Sequence, residues 1–467
     1  MKLRFIGATE TVTGSKHLVI TEKGMQVLLD CGLYQGMGKQ TAEMNSHLGL
    51  DPSKLTAVIL SHAHIDHSGN LPFLVNQGFR GKIYCTEATA EVAEILLRDS
   101  AHIQEADIKF INKIRKKRGQ EPLEPLYTNA DVERTVDMFH PITYHTSFAI
   151  NEELSFSFTD AGHILGSAAV NIVAKENGKI THLTFTGDIG RYTDMLLKDP
   201  EPFPQADYII CESTYGDKLH EKGGPAEIRL LEVVKKTCVE KKGKLIIPAF
   251  SLGRTQEIVF VLDKLKNADL LPHGLKIFVD SPLSVSATNI TRKYVKYLNA
   301  GLQEYIKTDP DPFGFEGLIY IQKKEDSMRL NEYNQPCIII SASGMMEAGR
   351  VKHHIAHALS NPKNTILAVG YASPSSLGGK LIRGEKSVNI FGEEHEVKAD
   401  IEVISSYSAH ADYEEMLKFL SCQDKREVKK MFLVHGEKDT KLVWRQRLLN
   451  EGFAHVEIPV KGEVFEL

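Results

Sequence analysis

Four side chains able to bind a metal ion stand within six residues: His62, His64, Asp66 and His67, in Ser61-His62-Ala63-His64-Ile65-Asp66-His67-Ser68-Gly69. In an extended segment side chains alternate with a period of two, so His62 and His64 project the same way. Asp66 and His67 follow where a helix should begin, turned toward a neighbouring point. One loop can then feed two metal ions a few Å apart. A solvated histidine-rich loop is the plainer reading, but it leaves the aspartate and the helix start without a purpose. A zinc ion wants about four or five ligands with one position open to water, so this loop alone does not close a site. Candidates for the rest are His163 in Asp160-Ala161-Gly162-His163, Asp188 in Thr186-Gly187-Asp188, where a carboxylate could bridge both ions, and His435 in Val434-His435-Gly436-Glu437. Each alone reads as an ordinary core or surface residue. Together, all at the ends of apolar runs and all beside glycine, they favour the ligand reading.

The elements that must position these residues are short apolar strands ending on polar side chains. Met25–Leu29 runs into Asp30-Cys31-Gly32, and Ala57–Leu60 into Ser61-His62. Leu154–Phe158 leads to the His163 turn, His182–Phe185 to Asp188, and Tyr208–Cys211 to Glu212-Ser213-Thr214-Tyr215-Gly216. Such runs read as buried strands. A helix is expected from near Asp66 to the glycine stop at Gly78. A second, long one is expected over 89–119, ending in Arg115-Lys116-Lys117-Arg118-Gly119 and followed by a proline-broken loop. From about 220 to 395 strand and helix alternate. Lys244–Ile247 precedes a helix after Gly253, and Lys276–Val279 a helix from Ser284. Cys337–Ile340 precedes a helix after Gly344, and Thr365–Val369 follows. That rhythm predicts a parallel, doubly wound sheet. The tail, 400–467, returns to strand ends bearing histidine, in Ser408-Ala409-His410-Ala411-Asp412 and around His435.

Composition bounds the rest. With 42% hydrophobic and 25% charged residues over 467, the chain should form two or three globular domains. The net charge of −5 excludes an overall cationic nucleic-acid coat, though not a local basic groove. No apolar run reaches the ~20 residues of a membrane span, and the start lacks a signal-peptide core. Six scattered cysteines without a C-x-x-C pair read as reduced thiols, and the expected compartment is the cytoplasm.

His-x-His-x-Asp-His, followed by Gly-His and Gly-Asp, resembles the metallo-β-lactamase superfamily. Glu212-Ser213-Thr214-Tyr215-Gly216, Ser408-Ala409-His410-Ala411-Asp412 and Val434-His435-Gly436-Glu437 resemble motifs A, B and C of its β-CASP branch. Nearly the whole chain takes part, and it looks like prokaryotic relatives of the pre-mRNA 3′-end cleavage endonuclease. The resemblance implies an α/β fold: a metallo-β-lactamase αββα sandwich from 1–208 and 396–467, with a doubly wound β-CASP domain inserted at 209–395. It implies two zinc ions per chain, with manganese the alternative. His62, His64 and His163 would hold one, Asp66, His67 and His435 the other, and Asp188 would bridge. Asp30 would orient a ligand or the bridging hydroxide. Glu212 and His410 would face each other beside the metals, with His410 protonating the leaving 3′-oxygen. The implied activity is hydrolysis of RNA phosphodiesters by a metal-bridged hydroxide, leaving 5′-phosphate and 3′-hydroxyl, endonucleolytic with 5′-exonuclease activity beside it. Histidine in motif C marks RNA-cleaving members, and valine DNA-cleaving ones. Rival readings are a DNA nuclease, a small-ester or thioester hydrolase on the same core, and a silent scaffold subunit. The scaffold should lack ligands, and none is missing here.

Further signals concern substrate. Phe250-Ser251-Leu252-Gly253-Arg254-Thr255-Gln256-Glu257 follows a strand and opens a helix, so its N–H groups and Arg254 could cradle phosphate. Ser341, Ser343 and Gly344 stand in a second such turn. Arg115–Arg118 is either an RNA-facing patch or a solvated face. His353, His354 and His357 lack a companion acid and read as packing or surface residues. Gly370-Tyr371-Ala372-Ser373-Pro374-Ser375-Ser376-Leu377-Gly378-Gly379-Lys380 departs from the family's Gly-Tyr-x-x-Glu-Gly-Thr-Leu-Gly-Arg. Pro374 replaces the acid and Gly379 the arginine, and Lys380 would supply the lost cation. No RNA-binding KH module is expected ahead of the first strand. The partners expected are RNA and a second copy in a homodimer, with no membrane.

Overall fold

A computed structural model of the chain describes residues 1–220, 226–370, 372, 376–404 and 408–467. Two compact units emerge, Met1–Leu219 with His410–Leu467, and His220–Ala409. The first holds two seven-stranded sheets. In one, Val464–Glu466, Lys2–Phe5, His17–Ile20 and Gln26–Leu29 pair antiparallel. Leu55–Ile59, Lys82–Cys85 and Phe139–Pro141 continue it in parallel. In the other, Phe148–Ala149, Leu154–Asp160, Ala168–Glu176 and Lys179–Phe185 are antiparallel. Tyr208–Cys211, Lys430–Leu433 and Val456–Glu457 follow in parallel.

Alternation along the strands builds the layers. Leu154, Phe156 and Phe158 point into the space between the sheets, where they join Phe5, Leu29, Ile59, Phe185 and Phe432 in one core. Strands covered on both faces are apolar throughout. Tyr208 and Ile210 face that inter-sheet core, while Ile209 and Cys211 face a second one with Phe419, Trp444 and Leu448. The second core is closed by the helices Tyr413–Leu420 and Lys438–Asn450. On the far side, Leu97 and Ala101 of the helix Glu87–Lys117 pack with Tyr127 and Val132. The unit is therefore helix, sheet, sheet, helix.

The second unit carries a six-stranded, wholly parallel sheet in the order Leu318–Ile321, Lys276–Asp280, Cys337–Ser341, Lys244–Pro248, Thr365–Ala368 and Asp400–Val403. The last strand lies beyond residue 395, where the sequence reading drew its boundary. It is short and half-exposed, with none of the apolar run that marks a central strand. The helix expected directly after Gly344 begins only at Arg350. The helix expected from Asp66 to Gly78 is two pieces, Ile65–Ser68 and Leu71–Asn76. His353 stacks on Phe391, a packing role, whereas the buried His354 does have a companion acid, Asp280 of another element at 2.6 Å, and bonds Asn331 at 2.9 Å. All six cysteines are free. No helix of the described residues is long and apolar enough to cross a membrane.

Phe432 joins the layers, its ring 5.2 Å from Phe5 and 4.8 Å from Phe465 across the sandwich. Truncating a buried Phe leaves a cavity costing about 3–5 kcal/mol. Phe432→Ala should therefore lower the first unit's free energy of unfolding, read from denaturant titration, by that amount. Phe110→Ala, at an exposed helix position, should change that free energy by under about 0.5 kcal/mol.

Candidate metal centre

Every strand that brings a polar residue to this centre delivers it just past its C-terminal end. Gln26–Leu29 delivers Asp30, Leu55–Ile59 the His62 loop, Leu154–Asp160 His163, and Lys179–Phe185 Asp188. Tyr208–Cys211 delivers Glu212 and Lys430–Leu433 His435. The chain turns sharply there, with positive φ at Asp30 (58°), Gly162 (64°), Gly187 (56°) and His435 (53°). At Gly187 a Cβ would sit 3.0 Å from Ser61 Cβ, and at Gly162 2.7 Å from the Lys198 carbonyl. Both the left-handed backbone and the close approach call for glycine. His410 comes from the loop ahead of the helix Tyr413–Leu420. That helix is capped by Asp412, and the loop is tied to the Asp188 turn by Ala411 N–H to Ile189 O at 2.8 Å.

The side chains converge in two groups. One ligand atom each from His62, His64, His163 and Asp188 lie within 4.8 Å of one another, as do those of Asp66, His67 and His435. Asp188 also lies in such a group with Glu212 and His435. Asp188 Oδ2 is 3.5 Å from His62 Nε2 and 3.6 Å from His163 Nε2, and its Oδ1 is 3.3 Å from His67 Nε2, so it faces both groups.

Hydrogen bonds around the rim fix which nitrogens face inward. Asp30, fully buried, accepts Ser61 N–H at 2.7 Å, Ser61 Oγ–H at 2.9 Å and His67 Nδ1–H at 2.6 Å. Ser61 has spent its proton on Asp30, so toward His62 Nδ1, 3.0 Å away, it accepts. Thr214 Oγ donates to His435 O at 3.3 Å and accepts from His435 Nδ1 at 3.1 Å. Three imidazoles are thereby left with the Nε2 lone pair aimed inward. His67 Nε2 and His435 Nε2 are 3.1 Å apart, and His64 Nδ1 is 3.2 Å from both His62 Nε2 and His163 Nε2. Asp188 Oδ1 is buried and receives no well-directed hydrogen bond from its neighbours.

Such a set of buried lone pairs and carboxylates demands positive charge. Burial opposes charge on His67, yet Asp188 and Asp30 outweigh it and hold its pKa well above the usual histidine range. Burial likewise opposes charge on Asp188, and His435, His67 and His62 outweigh it, taking the carboxyl well below the usual range. Burial and His67 push His62 well below, and burial takes His64 down to about 4. Nitrogen-rich, oxygen-bearing donors oriented from behind suit zinc. These residues could hold metal.

Glu212 and His410 form a second arrangement beside it. Glu212, fully buried, accepts Ile189 N–H at 2.6 Å and Thr214 N–H at 3.2 Å, and His410 Nδ1 is 3.3 Å from its Oε1. Burial opposes a charge on His410, but Glu212, Asp188 and Asp66 raise its pKa to about 9.

The residues singled out for substrate lie in the second unit. Arg254 is buried against Glu257. Ser341 Oγ donates to Asp280 O at 2.9 Å, and Ser343 to Ala348 O at 3.5 Å. The turn holding Gly344 abuts the Phe250 ring, and Ala249 N–H bonds Ser341 O, so the two strand-end turns touch. Lys380 lies in the helix Leu377–Ile382, which bonds Met345 O from Gly378. Tyr371, Ser373, Pro374 and Ser375 lie outside the described residues. Sequence reasoning missed Ser61 and Thr214, hydroxyls that orient His62 and His435. Serine and threonine are too common at strand ends to stand out.

Three family descriptions match this chain: a metallo-beta-lactamase superfamily domain over 18–187, a Beta-Casp domain over 255–381, and a Zn-dependent metallo-hydrolase RNA specificity domain over 394–459. Ribonuclease TTHA0252 of Thermus thermophilus is 34% identical over 452 residues, covering 97% of both chains. An RNase J-like protein of Methanocaldococcus jannaschii is 31% identical, over all of this chain and 99% of its own. Cleavage and polyadenylation specificity factor 73 of Drosophila melanogaster is 28% identical, over 94% of this chain and 60% of its own.

Asp160, ahead of His163, has its pKa raised to about 7, first by burial and then by Glu201. The folded chain holds that proton more tightly than the unfolded chain, whose carboxyl titrates near 3.8. The contribution of Asp160 to stability in chelator should therefore fall as pH rises between 3.8 and about 7 and level off above. Asp160→Asn, which can still accept Gly162 N–H, should flatten that slope in thermal melts and raise the melting temperature at pH 8.

Proposed function

The chain belongs to the β-CASP branch of the metallo-β-lactamase superfamily, and on that premise we propose that it is a two-zinc ribonuclease that hydrolyses RNA phosphodiesters to 5′-phosphate and 3′-hydroxyl ends. The reading rests on the convergence of His62, His64, His163, Asp188, Asp66, His67 and His435 beside the Glu212–His410 pair. A small-ester hydrolase needs no such second acid. We assign His62, His64 and His163 to one zinc, Asp66, His67 and His435 to the other, and Asp188 to both. Two zinc ions held there would supply Lewis acidity and make water available as a nucleophile at neutral pH.

The chain's own residues do the rest. Asp30 fixes the His67 ring through Nδ1, and Ser61 and Thr214 do the same for His62 and His435. Glu212 accepts at His410 Nδ1 and favours the imidazolium, leaving Nε2–H to protonate the departing 3′-oxygen. His410 keeps a fifth of its side-chain surface exposed while Glu212 is sealed, which suits it to reach substrate. Ser343, Gly344 and Lys380 in the second unit are assigned to RNA phosphates, whereas Ser341, which donates its hydroxyl proton to Asp280 O, and Arg254, buried against Glu257, are not placed to serve them. His435 in motif C favours RNA over DNA. Cleavage is endonucleolytic, with 5′-exonucleolytic trimming as a second mode.

Elemental analysis of purified protein should find about two zinc per chain. His67→Ala or Asp66→Asn should abolish cleavage, by at least about a thousandfold, while RNA is still bound. Retained turnover in either removes the metal mechanism. His410→Ala should slow cleavage by about 10²–10⁴-fold with zinc content unchanged. Loss of zinc there would make His410 a ligand. End-labelled RNA and DNA digests with and without chelator test polymer, polarity and metal dependence together.

A further inference from the structure

The helix Glu87–Lys117 runs about 46 Å, yet its buried residues stop at Ala101. Its N-terminal turn is tied to the His163 loop, where Thr86 and Thr89 hydroxyls both donate to Gly166 O at 2.7 Å. The outer half packs against the returning segment 120–129. There Asn112 clamps Leu123 in both directions at 2.8 Å, and Arg115 Nε–H donates to Glu121 O at 2.6 Å. The tip is thus a built structure rather than a frayed end.

Its chemistry is unlike the rest of the molecule. Lys109, Lys113, Arg115, Lys116, Lys117 and Arg118 put six cations and no acid into ten residues of a chain whose net charge is −5. None of the six has an ion-pair partner among the described residues. Lys109, Lys113 and Lys116 stand at i, i+4 and i+7, on one wall of a groove of about 430 Å³ whose other wall is Leu123 and Pro125. Glu105 and Glu124 also line it, and Glu105 is engaged by Asn129 N–H at 3.0 Å. Beside this column Phe110 is 65% exposed, more than any other large apolar residue described, with Ile111 and Ile114 at 38%.

A solvated helix face has no use for an exposed phenyl ring set among lysines. A column of cations beside apolar and aromatic surface is what a flexible polyanion with flat bases requires: lysines for successive phosphates, a ring for a base to stack on. We propose that this tip, the end of Glu87–Lys117 with residues 118–125, is a docking surface for single-stranded RNA. From Glu87 to Phe110 the helix axis covers about 35 Å, so the tip holds RNA well away from the His163 loop and serves long substrates only. The proposal rests on the ribonuclease reading above and deepens it.

The test uses the full chain in two assays. In chelator, without turnover, anisotropy reports binding of an unstructured RNA of about 30 nucleotides. The triple variant Lys109→Glu, Lys113→Glu, Lys116→Glu should bind at least about tenfold more weakly, with the log–log salt slope smaller by about 2 for three lost phosphate contacts. Phe110→Ala should weaken binding about fivefold or more with the slope unchanged. With zinc, the triple variant should show a raised KM and unchanged kcat on the long RNA, and wild-type rates on an RNA of about 5 nucleotides. Unchanged affinity and salt slope overturn the proposal. So does a wild-type dimer that the variants convert to monomer, which would assign the tip to a second copy. So does weakened capture of an acidic protein with RNA affinity intact. If wild-type protein with zinc cleaves neither RNA, the ribonuclease reading fails, while the chelator assay still decides the tip.

Discussion

Around Asp188 the chain holds together groups that have no reason to be neighbours. Lone pairs on His67 and His435 face each other at 3.1 Å, and those on His62, His64 and His163 meet in the same way, around a carboxylate that is itself buried. Leaving such groups unpaired away from water costs roughly 1–3 kcal/mol each. Something must overrule that, and it is the apolar mass behind the strands. Each fully buried Phe or Leu of the inter-sheet core contributes about 1.5–3 kcal/mol, and Phe5, Phe156, Phe158, Phe185 and Phe432 are all there. The core is stiff enough to impose a centre that only a cation relieves. The raised affinity of His67 for a proton is the same demand expressed without metal.

Orientation is a separate problem from proximity, and small groups solve it. Asp30 spends its oxygens on Ser61 and His67, so the ring nitrogen left over on His67 has no direction to face but inward. Ser61 and Thr214 pass the same constraint to His62 and His435. Their arrangement follows from proton count: a hydroxyl that has donated once can only accept. The positive φ at Asp30 and His435 belongs to this economy, because a bulky residue in that region is costly and persists only where its surroundings over-determine it.

What a sequence can carry of this is uneven, for physical reasons. Metal-capable side chains at the ends of apolar runs are legible, because strands covered on both faces must be apolar and strand ends must be polar. Tyr208–Cys211 running into Glu212 is an instance, its residues feeding two cores alternately. The strand Asp400–Val403 is not legible, since an edge strand with half-exposed residues carries no apolar signature. The break between Ile65–Ser68 and Leu71–Asn76 is hidden too. Helical spacing continues through it, while the turn at Gly69 and Asn70 is set by contacts such as Asn70 N–H to Cys31 O. The donor–acceptor logic of Ser61 and Thr214 exists only once distances do.

The centre is also assembled across a long detour of chain. Asp30, His62, His64, Asp66, His67, His163, Asp188 and Glu212 all precede residue 220, whereas His410 and His435 return after the whole of His220–Ala409. Lys430–Leu433 reaches its place by pairing in parallel with Tyr208–Cys211, the strand that ends on Glu212. That pairing joins two stretches of chain separated in sequence by the whole of the second unit. Without it, the group around Asp66 and His67 lacks its third member, His435. Competence of the centre therefore depends on the folding of the first unit as a whole rather than of the histidine-rich loop alone.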